Sequence, residues 1–371
     1  MRLALAAALA LIAAVPVRAA TTTRAPFGAL PDGRAVEMFT LKAQNGVTVK
    51  VMTLGATLQS VLTPDRAGRF ANVALGHATA SEYLSGTEYF GATVGRYANR
   101  IAQGRFTLDG KVHQLPINNP PNSLHGGTDG FNRRLWTVAR TGDGNVTLKL
   151  VSPDGDQGYP GTLTVTATYA LADDGTLTLD YRATTTAPTI VNLTNHSYWN
   201  LGGEGAPLGA LGQSLTVYAD SYLPVDATLI PTGEFRRVAG TPFNFLAGPA
   251  IGPRVRDAHD QQIAYARGYD HTFVIARTAA TSPRRMARLE DLVAGRVLEL
   301  WATDPGLQVY SGNFLDGTAV GTSGKLYRMG DGVALVPQRF PDTPNQPNFG
   351  SARLDPGQEY HSRIVYRFGV S

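Results

Sequence analysis

Residues 162–185 read Thr-Leu-Thr-Val-Thr-Ala-Thr-Tyr-Ala-Leu-Ala-Asp-Asp-Gly-Thr-Leu-Thr-Leu-Asp-Tyr-Arg-Ala-Thr-Thr. Leu163, Val165, Ala167, Tyr169 and Leu171 alternate with threonines, and the alternation resumes at Leu177, Leu179 and Tyr181. Side chains of a strand point to opposite faces in turn, so a period of two marks a strand with one buried face. The Asp173-Asp174-Gly175 break between the two runs supplies the turn chemistry of a hairpin. Val146, Leu148 and Leu150 form a similar run before it, and Ile364, Tyr366 and Phe368 close the chain in the same way. Long helical patterns are scarce, while 41 glycines and 23 prolines punctuate short runs. The chain therefore reads as all-β, a large antiparallel sandwich or barrel with few short helices.

The first twenty residues stand apart. Met1-Arg2, an apolar run from Leu3 to Val17 and the small residues Ala19-Ala20 have the layout of a secretory signal peptide. The expectation is a leader over residues 1–20, cleaved near Ala19 or Ala20. The mature protein would then be periplasmic or secreted, with no membrane association after cleavage. Residues 21–371 show no repeat, linker or shift in composition and read as a single β domain. The 371-residue chain has no cysteine, which excludes disulfides and thiolate metal sites. Its 33 basic and 29 acidic residues give a formal charge of +4, or +2 without Arg2 and Arg18, and the basic residues are dispersed. No nucleic-acid partner is expected from that balance.

Several catalytic signatures are absent. Gly317–Lys325 has the wrong glycine spacing for a phosphate loop, and Leu326 stands where a hydroxyl residue is required. No His-Glu-x-x-His or Gly-x-Ser-x-Gly motif occurs, and no metal site is expected. Two histidines remain in polar, glycine- and asparagine-rich surroundings: His125 within Asn122–Gly127 and His196 within Val191–Asn200. Imidazoles titrate near neutrality and invite an acid–base reading, although a lone histidine in a β protein is more often structural. Asn99 and Arg100, with Arg96 nearby, offer an amide and two guanidiniums. Asp270 lies between aromatics, and Gln308 lies on a probable strand. Such groups match a polyhydroxylated ligand, whose hydroxyls both donate and accept. Tyr198, Trp199 and Tyr269 are candidates to pack on a sugar ring. The ordinary readings are that the arginines brace the sheet, Asp270–His271 is a surface pair, and Asp154–Gly161 is a turn.

Taken in order, these segments resemble the aldose 1-epimerase (galactose mutarotase) family. The blocks are Gly95–Phe106 (GRYANRIAQGRF), Asn122–Phe131 (NSLHGGTDGF), Asn192–Leu201 (NLTNHSYWNL) and Tyr222–Glu234 (YLPVDATLIPTGE). Tyr269–Phe273 (YDHTF), Pro305–Gly317 (PGLQVYSGNFLDG) and Gln338–Asn345 (QRFPDTPN) follow. The resemblance implies a galactose mutarotase-like β-sandwich that binds a free monosaccharide on one concave sheet face. It implies interconversion of α and β anomers without a metal or organic cofactor. By motif, His196 is the general acid serving the ring oxygen. His125 and Arg100 orient the sugar beside Asn99, and Asp270 and Gln308 hold ring hydroxyls. Monomer and homodimer both fit.

One position departs from the family. Its general base is a glutamate in a Leu-Glu-x-Gln context, and here the stretch reads Ala334-Leu335-Val336-Pro337-Gln338. Val336 stands at the place of that base and cannot accept a proton. The resemblance thus implies an enzyme slowed by about 10²–10⁴, the usual worth of one positioned acid–base group. The alternative is a non-catalytic periplasmic sugar-binding protein on the same fold. Asp342, six residues on, lies about 20 Å away along an extended strand unless the chain turns at Pro337 or Pro341.

Overall fold

The computed structural model describes residues 20–371, so the expected leader lies outside the described residues apart from Ala20. The decisive hairpin forms where the alternation puts it. Strand β1 (Leu163–Leu171) pairs antiparallel with β2 (Leu177–Thr185), with Leu163 opposite Thr185 and Leu171 opposite Leu177. The Leu–Val–Ala–Tyr–Leu face of β1 is buried and its threonine face half-buried. Gly175 closes the turn at φ +82°, where a Cβ would be strained, and the Thr176 N–H donates to Asp174 Oδ1 at 2.9 Å. A slip of one residue would turn every leucine to the wrong face. The tyrosine hydroxyls also pin the register. Tyr169 donates to the Ala56 carbonyl at 2.6 Å, and Tyr181 shares a 2.9 Å bond with Thr93.

The hairpin sits within an eight-stranded antiparallel sheet. Its order is Thr137–Gly142, Asn145–Ser152, β1, β2, Tyr360–Val370, Arg296–Ala302, Arg284–Glu290 and Ser214–Val217. A six-stranded sheet faces it. Four of its strands are β3 (Tyr198–Trp199), β4 (Asp270–Val274), β5 (Gly306–Tyr310) and β6 (Val333–Gln338). Across the sheet the order is β3, β6, β5, β4, then Ser221–Tyr222 and Arg236–Arg237.

The two faces of this second sheet have different chemistry, and that difference creates the site. Trp199, Val333, Leu335, Leu307, Val309 and Phe273 point into the core shared with the first sheet. There Trp199 meets Tyr366 with ring centroids 5.1 Å apart. Each fully buried leucine of this layer contributes about 1.5–3 kcal/mol relative to exposure. On the other face, register pairs Tyr198 with Ala334, Ala334 with Tyr310, Tyr310 with Asp270, Val336 with Gln308, and Gln308 with Thr272. A five-stranded meander from Thr21 to Asn72 adds Phe39, Leu41, Val49 and Val51 to the core. Among the described residues the two α-helices, Ala80–Ser85 and Gln261–Ala266, are short. The expectation of an all-β sandwich with few helices is met.

Candidate active site

A cleft of about 550 Å³ opens over the polar face of the six-stranded sheet. That volume is in the range of small-molecule sites. All the expected site positions line it: Asn99, Arg100, His125, His196, Asp270, Gln308 and Val336. They come from six separate stretches of chain, and Asp270, Gln308 and Val336 meet because strands distant in sequence are neighbours in the sheet.

His196 owes its position to the buried polar residues around it. The Asn195 side chain donates to the Gly91 carbonyl at 2.7 Å and to the Tyr169 hydroxyl at 3.3 Å, tying this segment to the core hairpin. The backbone of His196 bonds Ala92 and Gly91. His125 sits at φ +53°, a strained value for a non-glycine residue. Its Nδ1 accepts the Asn99 N–H at 3.0 Å, so in the neutral ring Nε2 carries the proton. The two imidazoles meet edge to face at 5.0 Å, with the Tyr89 ring 4.6 Å from His125. Burial pushes His196 down to about 4. It also holds His125 well below the usual histidine range, with the charges of His196 and Arg100 adding to the effect. Both rings are therefore neutral in the empty cleft at pH 7. His196 Nδ1 is buried without a protein partner.

Opposite the histidines runs a chain of polar groups. Thr272 donates its hydroxyl to Gln308 Oε1 at 2.5 Å, and Gln308 Nε2 donates to Asp270 Oδ1 at 2.6 Å. Asp270 Oδ2 lies 3.6 Å from the Arg100 guanidinium, whose Nε donates to Asn119 Oδ1 at 3.1 Å. Each side chain is fixed by its neighbour, an arrangement that presents alternating donors and acceptors to a ligand without reorganisation.

Val336 is 1% exposed and belongs to a small apolar cluster with Tyr198, Tyr310, Leu75 and Phe90. Polar groups also adjoin it. Gln308 is its register partner, and Gln338, two residues on along the same strand face, is fully buried with neither amide atom partnered. A buried amide left unsatisfied at both ends costs about 1–3 kcal/mol per group. Asp342 supplies no carboxylate to the cleft, because it does not line it. It turns back at φ +57°, accepts the Ala102 N–H at 3.0 Å and the Asn345 side chain at 2.6 Å, and so buttresses the strand that carries Arg100.

Several sequence-based expectations need correction. Trp199 and Tyr269 lie in the core and not against a ligand, because strand alternation gives the cleft to Tyr198 and Asp270. Asp270–His271 is not a surface pair. His271 is buried on the opposite face, bonded to Gln262 at 3.2 Å and driven by burial down to about 3. Arg96 is a brace: its guanidinium donates to the carbonyls of Pro160, Gly161, Ser152 and Pro153 and to the Ser152 hydroxyl. Other cleft residues escaped the sequence reading, namely Glu88, Tyr89, Asn118, Asn119, Tyr310 and Gln338. The asparagine pair stands just before the His125 block and was open to notice. Glu88 and Tyr89 follow a short helix in an irregular loop and carry no local signal. Among the described residues, no group of three or more His, Asp or Glu side chains converges on a metal-sized site.

Comparison with known proteins agrees with this geometry. A family model described as aldose 1-epimerase matches residues 37–367. The chain is 45% identical to the galactose mutarotase of Rattus norvegicus over 352 residues, covering 95% of this chain and 99% of the relative. It is 39% identical to the aldose 1-epimerase of Escherichia coli K12 over 341 residues, covering 91% and 96%. Among solved structures, an aldose epimerase homologue from C. elegans superposes with a TM-score of 0.82 at 31% identity, covering 90% of this chain and 98% of that one. A galactose 1-epimerase from Lactobacillus acidophilus NCFM does so with the same score at 29% identity, covering 95% and 99%. The matched span runs through both sheets and every wall of the cleft, and the chain belongs to the aldose 1-epimerase family.

Proposed function

We propose that the cleft takes a free aldose of the galactose or glucose class and interconverts its anomers by acid–base ring opening and closure. Turnover is slowed because Val336 occupies the base position. The observation that carries this reading is the convergence of two facing imidazoles and the Arg100–Asp270–Gln308–Thr272 chain on one sugar-sized cleft. Asp270 and Gln308 hold ring hydroxyls. Arg100, His125 and Asn99 orient the sugar and stabilise the charge that develops. His196 gives a proton to the ring oxygen while a base removes the anomeric hydroxyl proton. The ring bond breaks, the C1–C2 bond rotates, and closure reverses both transfers.

Val336 weakens this cycle twice. It removes the acceptor, and it leaves the desolvation of His196 unopposed by a neighbouring carboxylate, so only a small fraction of the ring carries the proton that the acid step needs. The empty base position and the unpartnered Gln338 amide favour a second reading, a protein that binds sugar without turning it over. Calorimetric titration with D-galactose alongside polarimetric mutarotation separates the two. Binding with acceleration above the spontaneous rate supports the enzyme, binding alone supports the second reading, and the absence of both removes each. The leader-like residues 1–20 support export to the periplasm or exterior, with residues 21–371 as one sugar-binding domain. Sequencing the N-terminus of the exported chain tests this, with Thr21 as the expected neighbourhood.

A further inference from the structure

We propose that Glu88 acts as the proton acceptor for the sugar in place of the group missing at position 336. The residual mutarotation of this chain would then run through a carboxylate on the cleft wall instead of one on the sheet. The inference rests on the function proposed above.

Glu88 lines the same cleft as His196 and Val336, and its side chain is 18% exposed. It is held by a partner built for it. Glu88 Oε2 lies 3.6 Å from His77 Nε2, and the other ring nitrogen of His77 bonds the Val320 carbonyl at 2.8 Å. That bond leaves Nε2 to face the carboxylate. The His77 ring is clamped edge-on by Tyr83 at 5.0 Å and Phe90 at 5.1 Å. At Gly86, a Cβ would collide with the Glu88 carboxylate and lie 3.1 Å from His77 Nε2, so the close approach of the pair requires glycine there. A reactive side chain oriented by a second group, itself fixed by a third, is the arrangement of an activated catalytic residue. Burial works against the Glu88 charge, but the His77 contact together with hydrogen bonds from the backbone at Thr87 and Glu88 outweighs it and holds the carboxyl below its ordinary value.

The position is also suitable. Phe90, two residues on, packs in the same apolar cluster as Val336, Tyr198 and Tyr310. The Glu88 charge reaches the hydroxyls of both tyrosines, which flank Ala334, two residues before Val336 on the same strand. The other carboxylates of the cleft are engaged. Asp270 is held by Gln308 and Arg100, and Asp316 at the rim binds the Thr318 hydroxyl at 2.6 Å. In the proposed step Glu88 takes the proton of the anomeric hydroxyl, C1=O forms as the C1–O5 bond breaks, and O5 takes a proton from the small imidazolium fraction of His196, which keeps the rate low. Closure returns both protons, so the cycle balances without a co-reactant.

The test is a double-mutant cycle of Glu88→Gln and Val336→Glu, read by polarimetry on α-D-galactose with the spontaneous rate subtracted. The expected result is that Glu88→Gln brings the native chain to the spontaneous rate. Its fold-loss there should be at least about tenfold larger than in the Val336→Glu background. The rate of the double variant also certifies that Glu88→Gln folds. Equal fold-losses in both backgrounds, no loss in the native chain, or a native chain without acceleration beside a fast Val336→Glu variant would each overturn the role of Glu88 while sparing the epimerase reading. Four chains without acceleration would take down both.

Discussion

Introducing a carboxylate at position 336 is the sharpest perturbation the structure offers. In Val336→Glu the new side chain would emerge on the cleft face, opposite Gln308 and beside the unpartnered Gln338 amide. A hydrogen bond from an amide to a charged acceptor contributes about 1.5–3 kcal/mol. Burying a carboxylate at a position now 1% exposed costs several kcal/mol. The two nearly cancel, and a net loss of about 1–3 kcal/mol is expected, seen as a fall in Tm of roughly 2–6 °C. The gain in rate is larger. A positioned base contributes about 10²–10⁴, equivalent to about 3–5 kcal/mol of barrier. The added negative charge would also lift His196 from about 4 towards neutrality, so the acid becomes protonated in the working range. Polarimetry on α-D-galactose and α-D-glucose, with spontaneous exchange subtracted, reads the rate directly. A folded, sugar-binding Val336→Glu variant no faster than the native chain would refute the assignment of position 336. So would a native chain already as fast as the variant.

Other outcomes follow from the same geometry. In the Val336→Glu background, His196→Asn should lower kcat by about 10²–10⁴ with little change in sugar affinity; a large loss of affinity with kcat retained would make His196 a binding group. Gln308→Ala removes the link between Thr272 and Asp270, and calorimetry should show galactose affinity weakened by about 1–3 kcal/mol. Arg96→Met leaves four carbonyls and a buried hydroxyl without their donor, and urea unfolding should report a loss of about 3–5 kcal/mol. Three buried histidines govern the acid side of stability. The folded values of His196 (about 4) and His271 (about 3) lie below the ordinary 6.5, and His125 is also lowered. The unfolded chain therefore binds more protons in that window, and stability should fall as pH drops from about 6.5 towards 4. Asp304, pushed up by burial to about 6 from the ordinary 3.8, runs the other way from about pH 6 downward. Denaturation midpoints at pH 7 and pH 5 check the sign.

The sequence by itself determined the strand content and the register of the central hairpin. Period-two burial is a local property, and the leucine face of residues 163–171 has only one way to reach a core. Its ordered polar blocks carried the resemblance that singled out the seven cleft positions, and Val336 is an ordinary strand residue without that resemblance. The tertiary structure decided matters that no local pattern encodes. Trp199 and Tyr198 are neighbours in sequence with the same aromatic appeal, yet strand alternation sends one into the core and the other into the cleft. Arg96 and Arg100 lie in one block, and only the fold shows that the first is enclosed by carbonyls while the second reaches Asp270. Asp342 is near Val336 along the chain but is committed elsewhere, whereas Glu88, nearly 250 residues away, shares its cleft. The physical reason is that sheet neighbours are chosen by backbone pairing and burial over the whole chain. Which side chains meet across a cleft is therefore settled only when all the strands have found their partners.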